Sequence, residues 1–101
     1  MKLKFKTWDC ELKMSRYTEN DRIALRLDDV NNGSPIATVT VNLPDEKLEC
    51  DEVFIKDYSK NEGMLDTLLD NGVIEQPIGW VQSGHTNIPK CKLTPHLLAG
   101  V

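Results

Sequence analysis

The sequence predicts an α+β fold, a mostly antiparallel sheet of five or six strands with one helix packed on a sheet face. Three observations lead there. Apolar and polar residues alternate with period two through several short stretches, the pattern of half-buried strands. Asn-Gly, Ser-Gly and proline punctuation separates those stretches. One segment alone, from Ser59 to Gly72, shifts to helical spacing. With 101 residues and 40% apolar content the chain can bury one modest core, so 1–101 is expected to be a single α+β domain.

Leu3 and Phe5 alternate with Lys2, Lys4 and Lys6, and Cys10, Leu12 and Met14 alternate with Glu11 and Lys13. Two strands are expected, with a bulge or bend at Trp8-Asp9 and a polar turn over Ser15–Asn20. Ile23, Leu25 and Leu27 point one way and Arg22, Ala24 and Arg26 the other, the clearest strand of the chain. It ends at Asp28–Pro35, where Asn32-Gly33 signals a turn. Ile36–Leu43 reads as the returning strand, with Ala37, Val39, Val41 and Leu43 on one face and Thr38, Thr40 and Asn42 on the other. Pro44 closes it, since proline cannot donate a ladder hydrogen bond. A charged connection, Asp45–Asp51, leads to a short strand at Val53-Phe54-Ile55.

Ser59 and Glu62 then stand in S-x-x-E spacing, the capping-box pattern. Met64, Leu65, Leu68 and Leu69 form an apolar stripe, and Asn71-Gly72 supplies a left-handed stop, giving a helix of about three turns. Val73 and Ile74 are expected to return to the core. Trp80-Val81 and Thr86–Ile88 flank Ser83-Gly84 as a second hairpin. Pro89 is expected to confine the returning strand to an edge or a bulge, and Cys91 and Leu93 to continue it. The tail His96–Val101 is ordered only if something holds it down.

No catalytic signature stands out. The start Met1–Lys6 has no apolar h-region and no run approaches the length of a membrane span, so a cytoplasmic protein with no membrane association is expected. Cys10, Cys50 and Cys91 lie about forty residues apart without a C-x-x-C pair and read as reduced thiols. His85, Cys91 and His96 lack the paired spacing of a zinc site, so no metal is expected. The glycines form neither G-x-G-x-x-G nor a P-loop, and no cofactor is implied. Cys50 or Cys91 with His85 and Asp57 has the chemistry of a nucleophile and base, but no strained nucleophile turn accompanies them. Trp8, Trp80 and Tyr58 read as core or sheet cover before they read as partner anchors.

Charge is the unusual feature. The formal net charge of −4 argues against a general nucleic-acid binder. Counted by segment, residues 1–44 carry +1, residues 76–101 carry +2 and residues 45–75 carry −7. Glu62, Asp66 and Asp70 at i, i+4 and i+8 line one helix face opposite the apolar stripe, and no lysine relieves them within the helix. Such a run serves most often as a solvated face. It also fits a docking surface for a basic protein, with Asp51, Glu52 and Asp57 nearby. Three carboxylates on one face fall short of the six or more oxygens of a dedicated Ca²⁺ site.

The stretch Ala37–Pro44 (A-T-V-T-V-N-L-P), with Ile23–Leu27 upstream and Val53–Gly63 downstream, resembles a family of small proteins of unknown function carried by phages, plasmids and integrated elements of Gram-positive bacteria. Gly79–Pro89 shares the resemblance, which spans most of residues 20–93. It implies a mobile-element setting, in which small binders modulate host or defence machinery, and it transfers no catalytic residue. Three readings follow. The first is a non-enzymatic binding or modulator protein docking a basic partner through Glu62, Asp66 and Asp70 with Asp51, Glu52 and Asp57. The second is a thiol- or metal-assisted enzyme using Cys91 and His85. The third is an accessory subunit of a larger assembly, which predicts an exposed apolar edge and self-association.

Overall fold

The computed structural model describes residues 1–99. It is an α+β fold with seven strands in two antiparallel sheets rather than five or six in one, and with two short helices rather than one. No helix among the described residues is long and apolar enough to cross a membrane.

Four strands form the first sheet in chain order: β1 (Lys2–Phe5), β2 (Trp8–Arg16), β3 (Ile23–Asp29) and β4 (Pro35–Thr38). Its inner face is the one the alternation assigns, with Leu3, Phe5, Cys10, Leu12, Ile23, Leu25 and Leu27 buried. The break expected at Trp8-Asp9 falls two residues earlier. Phe5 faces Trp8 across a two-residue turn, Lys6-Thr7, in which Lys6 takes a φ of 55°. Lys6 is anchored there, its Nζ donating to the Lys60 carbonyl at 2.8 Å. β2 also runs two residues past its expected end, to Arg16.

The strand expected over Ile36–Leu43 is split. β4 ends at Thr38, and Val39 and Thr40 are both buried, which breaks the alternation. The Val39 N–H still donates to Leu25 O in β3, while its carbonyl already accepts from Lys56 N–H, and Val41 N–H donates to Phe54 O. This stretch therefore passes the chain from one sheet to the other, with a bridge between Thr40 and Ile55. A register shift at Leu27/Asp28 lies at the opposite end of β4, near Pro35. Thr40, expected on the polar face, hydrogen bonds the Tyr17 hydroxyl (2.9 Å) and accepts from Leu25 N–H (3.2 Å).

The second sheet has the order β5-β7-β6, from β5 (Glu52–Phe54), β6 (Gly79–Ser83) and β7 (Thr86–Lys92). β6 and β7 form the expected hairpin, turning at Gly84-His85 with Gly84 at φ 61°. Pro89, expected to confine its strand to an edge or a bulge, lies buried in the central strand at an unbroken register with β6. It is tolerated because the ladder with β5 ends at Phe54–Lys90, and beyond it the Pro89 carbonyl accepts from Ile55 N–H (3.0 Å) at a site where no Pro89 donor is used.

Helix α1 (Met64–Asp70) is two turns rather than three. Met64 and Leu68 are buried, with Leu65 and Leu69 packed partly against the same core. It ends as predicted, in a Schellman motif: Gly72 stands at φ 69°, Val73 N–H reaches Leu68 O and Gly72 N–H reaches Leu69 O. The tail is held through a second helix, α2 (Pro95–Leu98), whose cap Thr94 donates its hydroxyl to Gly72 O (2.7 Å) while Leu97 is buried. Gly100 and Val101 lie outside the described residues. One apolar cluster joins the inner faces of both sheets, α1 and Leu97.

Candidate functional site

The acidic segment begins where β5 enters the second sheet. Glu52 is 6% exposed, and its Oε1 accepts from Glu49 N–H at 3.0 Å, closing the loop before the strand. Asp51 is half-buried, and its carbonyl accepts from Leu93 N–H. Asp57 is half-buried and faces the helix: its Oδ1 accepts from Gly63 N–H (3.1 Å) and Leu65 N–H (2.9 Å). A carboxylate on free amides at a helix start is stabilised by hydrogen bonding and by the helix dipole. Asp57 thus does the capping that the sequence assigns to Ser59. No capping box forms, because Ser59 adopts a φ of 55° and opens a 3-10 turn (Ser59–Asn61), while the residue preceding α1 is Gly63 at φ 95°.

Glu62 closes that turn in an extended conformation and so lies outside α1. The expected i, i+4, i+8 row is therefore helical only for Asp66 and Asp70. Both are exposed, as is Glu62, and the buried Met64 and Leu68 occupy the other side of the helix. Among the described residues, ion pairs form only between the Met1 amine and Glu11 and between Arg26 and Asp28, so these three carboxylates have no cationic partner within 4.0 Å. The contact of Lys6 with Lys60 O brings two ammonium side chains toward the 3-10 turn, leaving the α1 end of the segment the more acidic. Of the six carboxylates the sequence groups together, Glu62, Asp66 and Asp70 are exposed and Asp51 is half-buried. Glu52 and Asp57 are withdrawn from that surface because their carboxylates hydrogen bond their own backbone.

Cys91 and His85 are not brought together. Cys91 is fully buried in β7 opposite Val53, and burial pushes its thiol up to about 12, so it is protonated at neutral pH and a poor nucleophile. His85 is exposed at the β6–β7 turn, roughly 20 Å along the strand at ~3.3 Å per residue. Cys50 is the exposed thiol, in an open depression lined by Arg16, Asp21, Arg22, Glu49 and Glu52 and by no histidine. All three cysteines are free. Among the described residues no three His, Cys, Asp or Glu side chains converge to hold a metal ion.

The tryptophans depart from expectation. Trp8 is 47% exposed and Trp80 58%, so neither is core. Trp8 closes the first hairpin at the end of its sheet and Trp80 sits on the edge strand β6, both beyond the reach of the shared core. Tyr58 is half-buried, with Lys56 Nζ 5.7 Å from its ring centroid. Asn61 was given no role by the sequence. It is buried, and its Nδ2 donates to Thr38 O, tying the 3-10 turn to the end of β4. No local pattern marks a contact made across 23 residues. No protein-family model matches the chain, and no curated protein or solved structure matches it either.

Proposed function

We propose that the protein is a non-enzymatic cytoplasmic binding protein of a mobile element, and that it docks a basic partner protein through Glu62, Asp66 and Asp70, with Asp51 at the margin. It acts by occluding or recruiting that partner, in host takeover or against host defence, and makes no direct contact with nucleic acid. The observation that carries this reading is the unrelieved charge of the exposed carboxylates: three of them without a cation within 4.0 Å among the described residues. Asp70 in addition lies at the negative end of α1, where a carboxylate costs stability. Asp66, in the first turn of α1, gains from the helix dipole, whereas Glu62 and Asp70 have no such compensation, and a basic surface would neutralise all three at once. Binding of this kind weakens as salt screens the exposed charges.

The test is affinity capture from a lysate of the host organism at low and high salt. The protein should retain a basic partner that salt releases, and the triple variant Glu62→Lys, Asp66→Lys, Asp70→Lys should lose it while keeping its circular dichroism spectrum. Capture that survives the triple change would overturn the docking role.

A further inference from the structure

The second sheet ends in an edge strand, β6, which the loop Leu43–Glu46 approaches only at Gln82 and Ser83. β6 pairs only with β7, and residues 76–84 carry no charged side chain. Ile78 and Trp80, two apart and so on one face, are 51% and 58% exposed. The edge of the first sheet is guarded: β1 carries Lys2 and Lys4 on its outward face, paired in register with Glu11 and Asp9. Edge lysines are a common device against edge-to-edge pairing, and β6 lacks it.

The open hydrogen-bonding groups of β6 can be located. Trp80 stands opposite Pro89, whose carbonyl accepts from Ile55 in β5. At this position β7 therefore directs its backbone toward β5, and Trp80 directs its own N–H and C=O away from β7, to the free edge. By alternation Gln82 does the same, while Val81 pairs inward with Ile88. No backbone hydrogen bond from outside the hairpin reaches Trp80 or Gln82 among the described residues.

We propose that the protein pairs with a second copy of itself through β6, the two strands running antiparallel about a two-fold axis at Val81. The three-stranded sheets then join into one of six strands. At this register Trp80 lies opposite the partner copy's Gln82, so each outward N–H meets an outward carbonyl and four hydrogen bonds form. Gly79 meets Ser83, and Val81 meets its own equivalent. Among the paired residues 79–83 no charged side chain faces its equivalent, in a chain that elsewhere carries the acid of a net −4. Each Trp80 ring covers the neighbouring Gln82 across the junction. The contact is isologous and closes at two copies, since each copy spends its β6 edge on the other. α1 packs against β1, away from β6, so the acidic residues stay free.

Sedimentation equilibrium over a concentration series tests this. The protein should show twice the chain mass in reversible equilibrium, and Trp80→Lys should raise the dissociation constant about tenfold or more. In a Cys50→Ser background, Val81→Cys should cross-link two copies under mild oxidation, because two-fold-related residues in a non-hydrogen-bonded pair lie ~4.5 Å apart at Cα. Ser83→Cys, set well off the axis, should not. Val81→Cys is conservative in size and keeps the test open if Trp80→Lys fails to fold. A monomer at all concentrations, a larger assembly, or a dimer that ignores both Trp80→Lys and the cross-linking position would overturn the proposal. The triple charge reversal of the acidic surface should leave the dimer intact.

Discussion

The first sheet is made of strands that follow one another in the chain, each folding back on the last, whereas the second takes β5 from one side of α1 and the β6–β7 hairpin from the other. The first has a clean inside and outside along β2 and β3. In the second, all three residues of β5 are buried, and Ile88 and Pro89 are buried side by side in β7. Their edges differ as well: lysines stud β1, and β6 is neutral with an exposed tryptophan. A locally connected sheet with one wet face is specified by alternation and turns. A strand buried on both faces, as β5 is, is specified by whatever packs against it.

The largest effects should come from the apolar cores. Leu27→Ala is expected to cost about 2–5 kcal/mol and Phe54→Ala about 3–5 kcal/mol in urea unfolding. Leu27 belongs to the cluster shared by both sheets, while Phe54 is buried outside it. Native-state hydrogen exchange should therefore show Leu27→Ala lowering protection in both sheets and Phe54→Ala mainly in β5–β7. Equal loss everywhere after Phe54→Ala would erase the distinction between the two regions.

A pH series probes the same difference through Cys91. Below pH 9 the thiol is protonated whether the chain is folded or unfolded, and stability does not depend on it. Above its unfolded value of 9.0 the unfolded chain releases the proton while the folded one holds it up to about 12, so stability falls as pH rises through that window. The fall attributable to Cys91 approaches ~1.4 kcal/mol per pH unit and should vanish in Cys91→Ala, measured as urea midpoints against pH. Cys10 in the first sheet is raised too, by burial first and then by Asp29, Asp9 and Asp28. A native thiol assay should accordingly label Cys50 rapidly and leave Cys10 and Cys91 unreacted until unfolding.

Capping offers a sharper contrast of local against distant control. Asp57→Ala should cost about 1 kcal/mol, as for loss of a helix cap, and Ser59→Ala only a few tenths. Comparable losses in the two variants would restore the local capping box. The smallest expected effect is Asp70→Asn, which should raise thermal stability by a few tenths of a kcal/mol by relieving the negative helix end and the Asp66 repulsion.

The legible parts of the molecule were those with short-range causes. Leu12, Leu25 and Leu27 announce their face by alternation, Asn71-Gly72 stops α1, and Gly84 turns the second hairpin. Of the candidate site, the exposure of Asp66 and Asp70 followed from their place opposite an apolar stripe, whereas Glu62 is exposed outside α1. Glu52 and Asp57 look the same in sequence, as acids in an acidic stretch, and nothing nearby says that one folds onto the Glu49 amide and the other reaches six and eight residues ahead. The Lys6-Thr7 turn was hidden because neither residue is a usual turn former.

The sequence by itself determined the α+β class, the first three strands, the helix with its stop, the second hairpin and the concentration of acid in residues 45–75. Each rests on periodicity, turn chemistry or composition, which act over a few residues. Tertiary structure alone decided that Val39–Val41 pass between two sheets, that Pro89 sits in a central strand, and that Asp57 caps α1. It also decided that Trp80 faces solvent from an open edge. Each depends on which distant backbone group is left without a partner and where the shared core ends, and neither is set until the chain has closed on itself.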